Sequence, residues 1–249
     1  MKEHFNLTLK WSKMLCEDVR HLVFVREDGK PMPCIPGQFI QIHFSHEGED
    51  QRRSYSIATV PGAPGPAEVD EVEIAVSYIE GGPATALLSG LQPGEALESS
   101  GPYGRFCLHD NETPKRYVLV ATGTGVTPYR AMLPEIAHRM AEHGTRFFLI
   151  HGARRREEVL YGEEFTAFAH THPGFEYQAR ISRQQPDDPQ PWEHPGHVQD
   201  AFEALGLNPE TDIIYLCGNP DMIDDAVTRL KQKGFTPRNM RREKYVSNR

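Results

Sequence analysis

The sequence predicts an N-terminal antiparallel β-barrel followed by a doubly wound parallel-sheet α/β domain. Two observations carry this. Up to about residue 110, short apolar or alternating runs (Val19–Val25, Phe39–Phe44, Val72–Ser77 and a segment around Phe106) are separated by Pro36-Gly37, Pro61-Gly62, Pro64-Gly65 and Pro93-Gly94. From Lys115 the texture changes: strand-like runs (Tyr117–Ala121, Arg146–His151, Glu176–Ile181, Ile213–Cys217) alternate with helical patterns (Tyr129–His143, Glu163–His170, Val198–Leu205, Met222–Lys233). The change falls in the polar stretch Asp110–Lys115, which gives expected domains 1–112 and 113–249.

Within the barrel, Arg53-Ser-Tyr55-Ser56 follows the Phe39–Phe44 strand. Strand alternation points Arg53 and Tyr55 to one face, a guanidinium fork for phosphate beside a ring for a planar partner. Next, Gly81-Gly82-Pro-Ala-Thr85 opens a helix with leucines at 87, 88 and 91. Such an N-terminus can take an anion, and Thr85 adds a hydroxyl. Gly101-Pro-Tyr-Gly104-Arg-Phe106 reads as a turn into a last barrel strand.

The second domain opens on Tyr117-Val-Leu-Val-Ala-Thr-Gly123-Thr124-Gly125-Val-Thr127-Pro128, read as strand, glycine turn and helix start. Bare N–H groups and the helix dipole at such a turn suit a pyrophosphate. The match to G-x-G-x-x-G is partial, because Pro128 stands where the third glycine would be.

Composition narrows the class. A net charge of −8 over 249 residues argues against general nucleic-acid binding. No apolar run is long enough for a membrane span, and the first residues carry no secretory signal, so a cytoplasmic protein is expected. Cys16, Cys34, Cys107 and Cys217 stand far apart without a C-x-x-C pair, so no metal centre is expected. Charge is uneven: Arg229, Lys231, Lys233, Arg238, Arg241, Arg242, Lys244 and Arg249 crowd the C-terminal segment, and Arg154–Arg156 form a second basic cluster.

Taken in order, Arg53-x-Tyr55-Ser56, Gly81-Gly82-Pro-Ala-Thr85, Gly101-Pro-Tyr-Gly104, Gly123-Thr-Gly125-Val-Thr-Pro128 and Cys217-Gly218-Asn-Pro220 resemble the ferredoxin–NADP reductase family, over nearly the whole chain. The resemblance implies FAD in the barrel: Arg53 on its pyrophosphate, Tyr55 on the isoalloxazine, Ser56 near N5, and Gly81, Gly82 and Thr85 at its phosphates. It implies a nicotinamide dinucleotide on Gly123, Thr124, Gly125 and Thr127, with Cys217 and Gly218 beside the nicotinamide. Ser182-Arg183, after a later strand, resembles a 2′-phosphate pocket and favours NADP(H) over NAD. Glu243-Lys-Tyr245 matches a Glu-x-Tyr that ends plant-type members, with Tyr245 as the ring covering the flavin; here four residues follow, and this tail is expected to move aside for hydride transfer.

The implied activity is electron transfer between NADP(H) and a ferredoxin or flavodoxin, an acidic carrier steered to the basic C-terminal segment, by a monomer. An NADH-dependent reductase component serving a separate iron–sulfur oxygenase, a free-flavin reductase, and a non-catalytic nucleotide-binding module are the alternatives.

Overall fold

The computed structural model describes residues 3–245. The first strands are β1 (Glu3–Cys16), β2 (Val19–Arg26), β3 (Met32–Cys34), β4 (Phe39–His46), β5 (Glu49–Ser56), β6 (Ala67–Val69) and β7 (Glu71–Ser77). Helix α1 (Pro83–Gly90) and strand β8 (Ala96–Tyr103) follow. Six strands form one antiparallel sheet in the order β5-β4-β8-β1-β2-β7, while β3 and β6 pair separately. The sheet curls until its two edges meet. Just past β5, Ala58 N–H donates to Glu73 O at 2.7 Å, and the Thr59 hydroxyl bridges Glu71 O and Glu73 N on β7. Phe5, Leu7 and Leu9 of β1, Leu22 and Phe24 of β2, Ile40 and Ile42 of β4, and Val72, Ile74 and Val76 of β7 fill the interior. Each set shares one parity, as a pleated strand requires. Arg20 of β2 reaches the carbonyls of Leu88, Ser89 and Leu91, supplying donors at the C-terminal end of α1.

The expected last strand around Phe106 is not one. The final strand of this sheet is β8, lying between β4 and β1. Gly104, at φ +106, turns the chain where a Cβ would meet the Phe39 ring at 3.0 Å. Phe106 therefore lies beyond the sheet, buried in irregular chain with its ring 5.9 Å from that of Tyr129.

The second sheet is parallel. Its elements are β9 (Arg116–Thr122), α2 (Thr127–Ala131), α3 (Leu133–His143), β10 (Arg146–Ala153), α4 (Gly162–Thr171), β11 (Phe175–Ile181), β12 (Glu193–Pro195), α5 (Ala201–Ala204), β13 (Asp212–Gly218), α6 (Pro220–Gln232) and β14 (Met240–Lys244). Strand order is β12-β11-β10-β9-β13-β14. The chain winds outward from β9 to β12, then returns to place β13 on the other side of β9. The topological switch point lies between β9 and β13, where ligands of open α/β sheets bind at the carboxyl ends of the strands. The single helix expected over Tyr129–His143 is two, because Pro134 has no N–H to offer Arg130 O and its ring crowds that carbonyl.

The chain divides into two compact units. One comprises residues through Leu108 together with Thr127–Glu135; the other comprises His109–Val126 and the chain from Ile136. Sequence texture does not reveal that Thr127–Glu135 belongs with the antiparallel sheet. Arg130 provides the reason: it donates to Ala58 O at 2.7 Å and pairs with Glu73, whose other oxygen-bound partner is the buried His21.

Candidate functional site

In the first unit, β5 pairs with β4 along its whole length, setting Ile42 opposite Arg53 and Ile40 opposite Tyr55. Arg53 and Tyr55 are half-buried on one face, whereas Arg52 and Ser54 are exposed on the other. Ser56 is buried at the strand's end. The Arg53 guanidinium donates to Arg52 O at 2.9 Å and Gln51 Oε1 at 3.0 Å, over the Phe44 ring. Both acceptors are neutral, and Arg53 makes no ion pair among the described residues. Tyr55 packs on the barrel core, and burial pushes its phenol up to about 12, so the ring stays neutral.

Helix α1 starts at Gly82, which offers no side-chain cap, and Pro83 follows at the first helical position. Gly81 adopts φ +70, and the Thr85 hydroxyl accepts the Ile79 N–H at 2.8 Å. At the start of α2, Thr127 is 2% exposed and its hydroxyl has no hydrogen-bond partner.

In the second unit, the candidates gather along one edge of the parallel sheet. Ser182-Arg183 follows β11, Arg154 follows β10, Gly123–Gly125 follows β9, Cys217-Gly218 ends β13, and Tyr245 follows β14. Four strand spacings separate the first from the last, roughly 19 Å. At the switch point the backbones touch. A Cβ on Gly125 would lie 2.4 Å from Cys217 O, and one on Gly218 (φ +125) would lie 2.6 Å from both Thr122 oxygens. Gly123 is different: it holds φ +52 with nothing within 4 Å of a Cβ.

Cys217, Glu243 and Tyr245 come together. Cys217 pairs with Glu243 in register, and Tyr245 N–H donates to Gly218 O at 2.8 Å. Burial first, then the Glu243 carboxylate, raise the Cys217 thiol well above its ordinary value, while a hydrogen bond with the Tyr245 side chain opposes them. This thiol is fully buried and protonated, which suits a shape-defining role rather than a nucleophile.

At the other end, Ser182 N–H and Oγ–H both donate to Ala153 O, at 3.0 and 3.2 Å. The serine proton expected for a ligand is thus already used. The second basic cluster, Arg154–Arg156, is likewise engaged: Arg154 and Arg155 bind Glu158, and Arg156 binds Asp188 and Glu193. Arg183 is exposed and makes no ion pair among the described residues. The basic C-terminal segment is also partly self-neutralised. Arg241 pairs with Glu112, which also accepts from Tyr215 Oη, while Arg229, Lys233 and Lys244 pair with Asp225, Glu203 and Asp224. Lys231, Arg238 and Arg242 remain exposed without ion pairs among the described residues. Arg249 and the tail after Tyr245 lie outside the described residues.

Sequence reasoning passed over three residues at this edge. Asn219 caps α6, accepting from Asp221 N and Met222 N, and an Asn-Pro pair after an apolar run signals that cap. Thr122 accepts the Asn219 N–H at 3.0 Å. His151, fully buried on β10, donates from Nε2 to Gly123 O at 3.2 Å; its only signal is a polar residue closing an apolar strand.

Comparison with known proteins agrees with this geometry. Residues 6–107 match the oxidoreductase FAD-binding domain and residues 119–228 the oxidoreductase NAD-binding domain. Ferredoxin–NADP reductase B of Sorangium cellulosum is 35% identical over 185 residues, covering 74% of this chain and 72% of that protein. The chain belongs to the ferredoxin–NADP reductase family. It carries the FAD-binding and the NAD-binding oxidoreductase domains of that family. The reductase component of a Pseudomonas phenol 2-monooxygenase is 34% identical over 220 residues, covering 88% of this chain but 59% of that protein. This chain therefore spans about three-fifths of the length of that relative. Among solved structures, an Amycolatopsis cytochrome P450 reductase superposes with a TM-score of 0.83 at 26% identity, covering 99% of this chain and 71% of that one. A Neisseria gonorrhoeae ferredoxin NADP+ reductase with bound FAD and NADP shares the fold, with a TM-score of 0.81 at 21% identity over 98% of this chain and 99% of that one. The residues present fit both groups: an arginine without a carboxylate beside a neutral tyrosine in one unit, and glycines packed on a strand end in the other. Among the described residues no helix is long and apolar enough to cross a membrane.

Proposed function

We propose that the chain transfers electrons between NADP(H) and a one-electron carrier protein, a ferredoxin or a flavodoxin, with FAD as the intermediary. FAD, when bound, would supply the chemistry that links hydride transfer at N5 from nicotinamide C4 to single-electron transfer. The chain's own residues bind and orient. Arg53 takes the FAD pyrophosphate, with Gly81, Gly82 and Thr85 at the α1 start supplying the second phosphate contact. Tyr55 lies against the isoalloxazine, and Ser56 hydrogen-bonds near N5. Gly123, Thr124, Gly125 and Thr127 hold the dinucleotide pyrophosphate. Cys217 and Gly218 shape the floor under the nicotinamide, and Tyr245, beside Glu243, edges it. Arg183 is the observation that carries the choice of NADP(H): it is the cation at the end of β11 that no carboxylate among the described residues neutralises, and a 2′-phosphate would do so.

Lys231, Arg238 and Arg242 give an acidic carrier something to meet, and turnover with such a carrier should fall as ionic strength rises. A second reading is supported by relatives that are reductase components of oxygenase systems. In it the nucleotide is NADH and the acceptor an oxygenase partner.

Anaerobic rapid-mixing reduction of the flavoprotein separates the two. Preference for NADPH, abolished by Arg183→Ala, supports the first. Equal or better reduction by NADH, unaffected by Arg183→Ala, favours the second. No flavin bleaching by either nucleotide refutes both.

A further inference from the structure

We infer that His151 is a positioning residue for the nicotinamide dinucleotide, acting through the Gly123 peptide. The inference rests on the reading that Gly123–Gly125 holds the dinucleotide pyrophosphate.

Its basis is how the turn is held. Gly125 and Gly218 are fixed by direct backbone crowding at the β9–β13 switch point. Gly123 has no such support: a Cβ there would touch nothing within 4 Å, yet the residue sits at φ +52. Beyond the 3-10 turn that Gly123–Val126 itself forms, its carbonyl is engaged by one hydrogen bond from below. His151 is completely buried on β10, one strand over, in register with Ala121 of β9 and Ala179 of β11. Its Nε2 lies 3.2 Å from Gly123 O.

That contact determines the imidazole's state. A carbonyl oxygen can only accept, so Nε2 carries the proton. Nδ1 is buried without a hydrogen-bond partner, as the bare lone pair of a neutral ring would be. Burial also holds the ring's pKa down to about 4. A buried histidine kept as one neutral tautomer, with one nitrogen on one backbone carbonyl, does no proton transfer here. It orients a peptide.

The orientation matters because a trans peptide points its C=O and N–H in opposite directions. With Gly123 O drawn inward to His151, the N–H of the same peptide, on Thr124, is directed away from the interior. An inward N–H and outward carbonyl would instead present negative charge to a pyrophosphate. Glycine at 123 makes both orientations accessible; His151 holds the one that the 3-10 turn over Gly123–Val126 uses.

The test uses the flavin-loaded protein and three substitutions. Glutamine places an amide N–H near the position of Nε2, asparagine places it near Nδ1, and phenylalanine fills the volume without a donor. His151→Gln should keep the NADP+ dissociation constant within about twofold, whereas His151→Asn and His151→Phe should weaken it by about tenfold, the scale of one lost buried hydrogen bond. Flavin content should be unchanged in all three. Equal NADP+ affinity in all of them, or equal weakening by Gln and Asn, overturns the inference. Because Asn or Phe variants could fail to fold, ring nitrogen shifts of His151 in the wild-type protein provide an independent check: a protonated Nδ1 overturns it. Gly125→Ala distinguishes the underlying reading. If that variant folds and binds NADP+ as wild type does, the glycine turn is not the nucleotide site.

Discussion

Gly125 and Cys217 approach so closely that a single methyl group at Gly125 would stand 2.4 Å from the Cys217 carbonyl oxygen. The contact is backbone to backbone, at the end of the central strand pair, so no side chain can swing aside to relieve it. It makes the glycine turn and the strand carrying Cys217 one rigid edge.

Two glycines of that turn should respond differently to alanine. Gly125→Ala should destabilise the protein by about 1–3 kcal/mol through overpacking and weaken nucleotide binding. Gly123→Ala meets no atom, so it should cost only roughly 1–2 kcal/mol for the left-handed conformation. Thermal unfolding and nucleotide titration of both variants check the pair; a nucleotide affinity less disturbed by Gly125→Ala than by Gly123→Ala would contradict the packing argument.

Among the described residues, Arg53 forms its hydrogen bonds with neutral acceptors only. Arg53→Ala should leave the apoprotein's unfolding temperature nearly unchanged while weakening FAD binding by about tenfold to a hundredfold, as expected for charge-assisted bonds to phosphate. Flavin retention after gel filtration reads this directly. An apoprotein strongly destabilised by the change would assign Arg53 to the fold instead.

Neighbouring arginines in β14 should behave oppositely. Arg241 binds Glu112, whose side chain is 10% exposed. Arg241→Glu would set two carboxylates together and should cost about 1–3 kcal/mol of stability. Arg242→Glu, on an exposed arginine, should alter stability by less than about 0.5 kcal/mol and reduce turnover with an acidic carrier at low salt, with dye reduction preserved. Carrier kinetics indifferent to Arg242→Glu, Lys231→Glu and Arg238→Glu would remove this face from the docking surface.

His151 should also leave a mark on acid stability. The ring's pKa is about 4 when folded, against 6.5 for an unperturbed histidine. Between those values the unfolded chain binds the proton and the folded one does not, so stability is complete above pH 6.5 and declines as pH falls toward 4. The loss from pH 7 to pH 5 should be about 2 kcal/mol. Urea unfolding at both pH values should show a smaller loss for His151→Gln; an identical loss would mean that His151 is protonated in the native state.

Much of this was legible in the sequence where one residue type does one job. Glycines and prolines marked the turns, and the alternation of Arg53 and Tyr55 gave their shared face. A strand defined by its partner was not legible. Met240–Lys244 is mostly polar, and it becomes a strand because β13 offers it a ladder. Residue pairing was equally hidden: nothing local says that Arg241 is held by Glu112, that Ser182 spends its proton on Ala153, or that His151 lies under Gly123. Each of those contacts joins segments far apart along the chain.

The membership of Thr127–Glu135 in the first unit bears on the order of synthesis. On a ribosome, residues through Leu108 emerge first, but the barrel then lacks the segment that brings Arg130 to Glu73 and Tyr129 to Phe106. That segment appears only after β9, and β9 must wait for β13, about ninety residues beyond its own end, to gain its second neighbour. Domains of nascent chains usually fold one after another; in this chain the two are interleaved, so neither is finished before the other has begun.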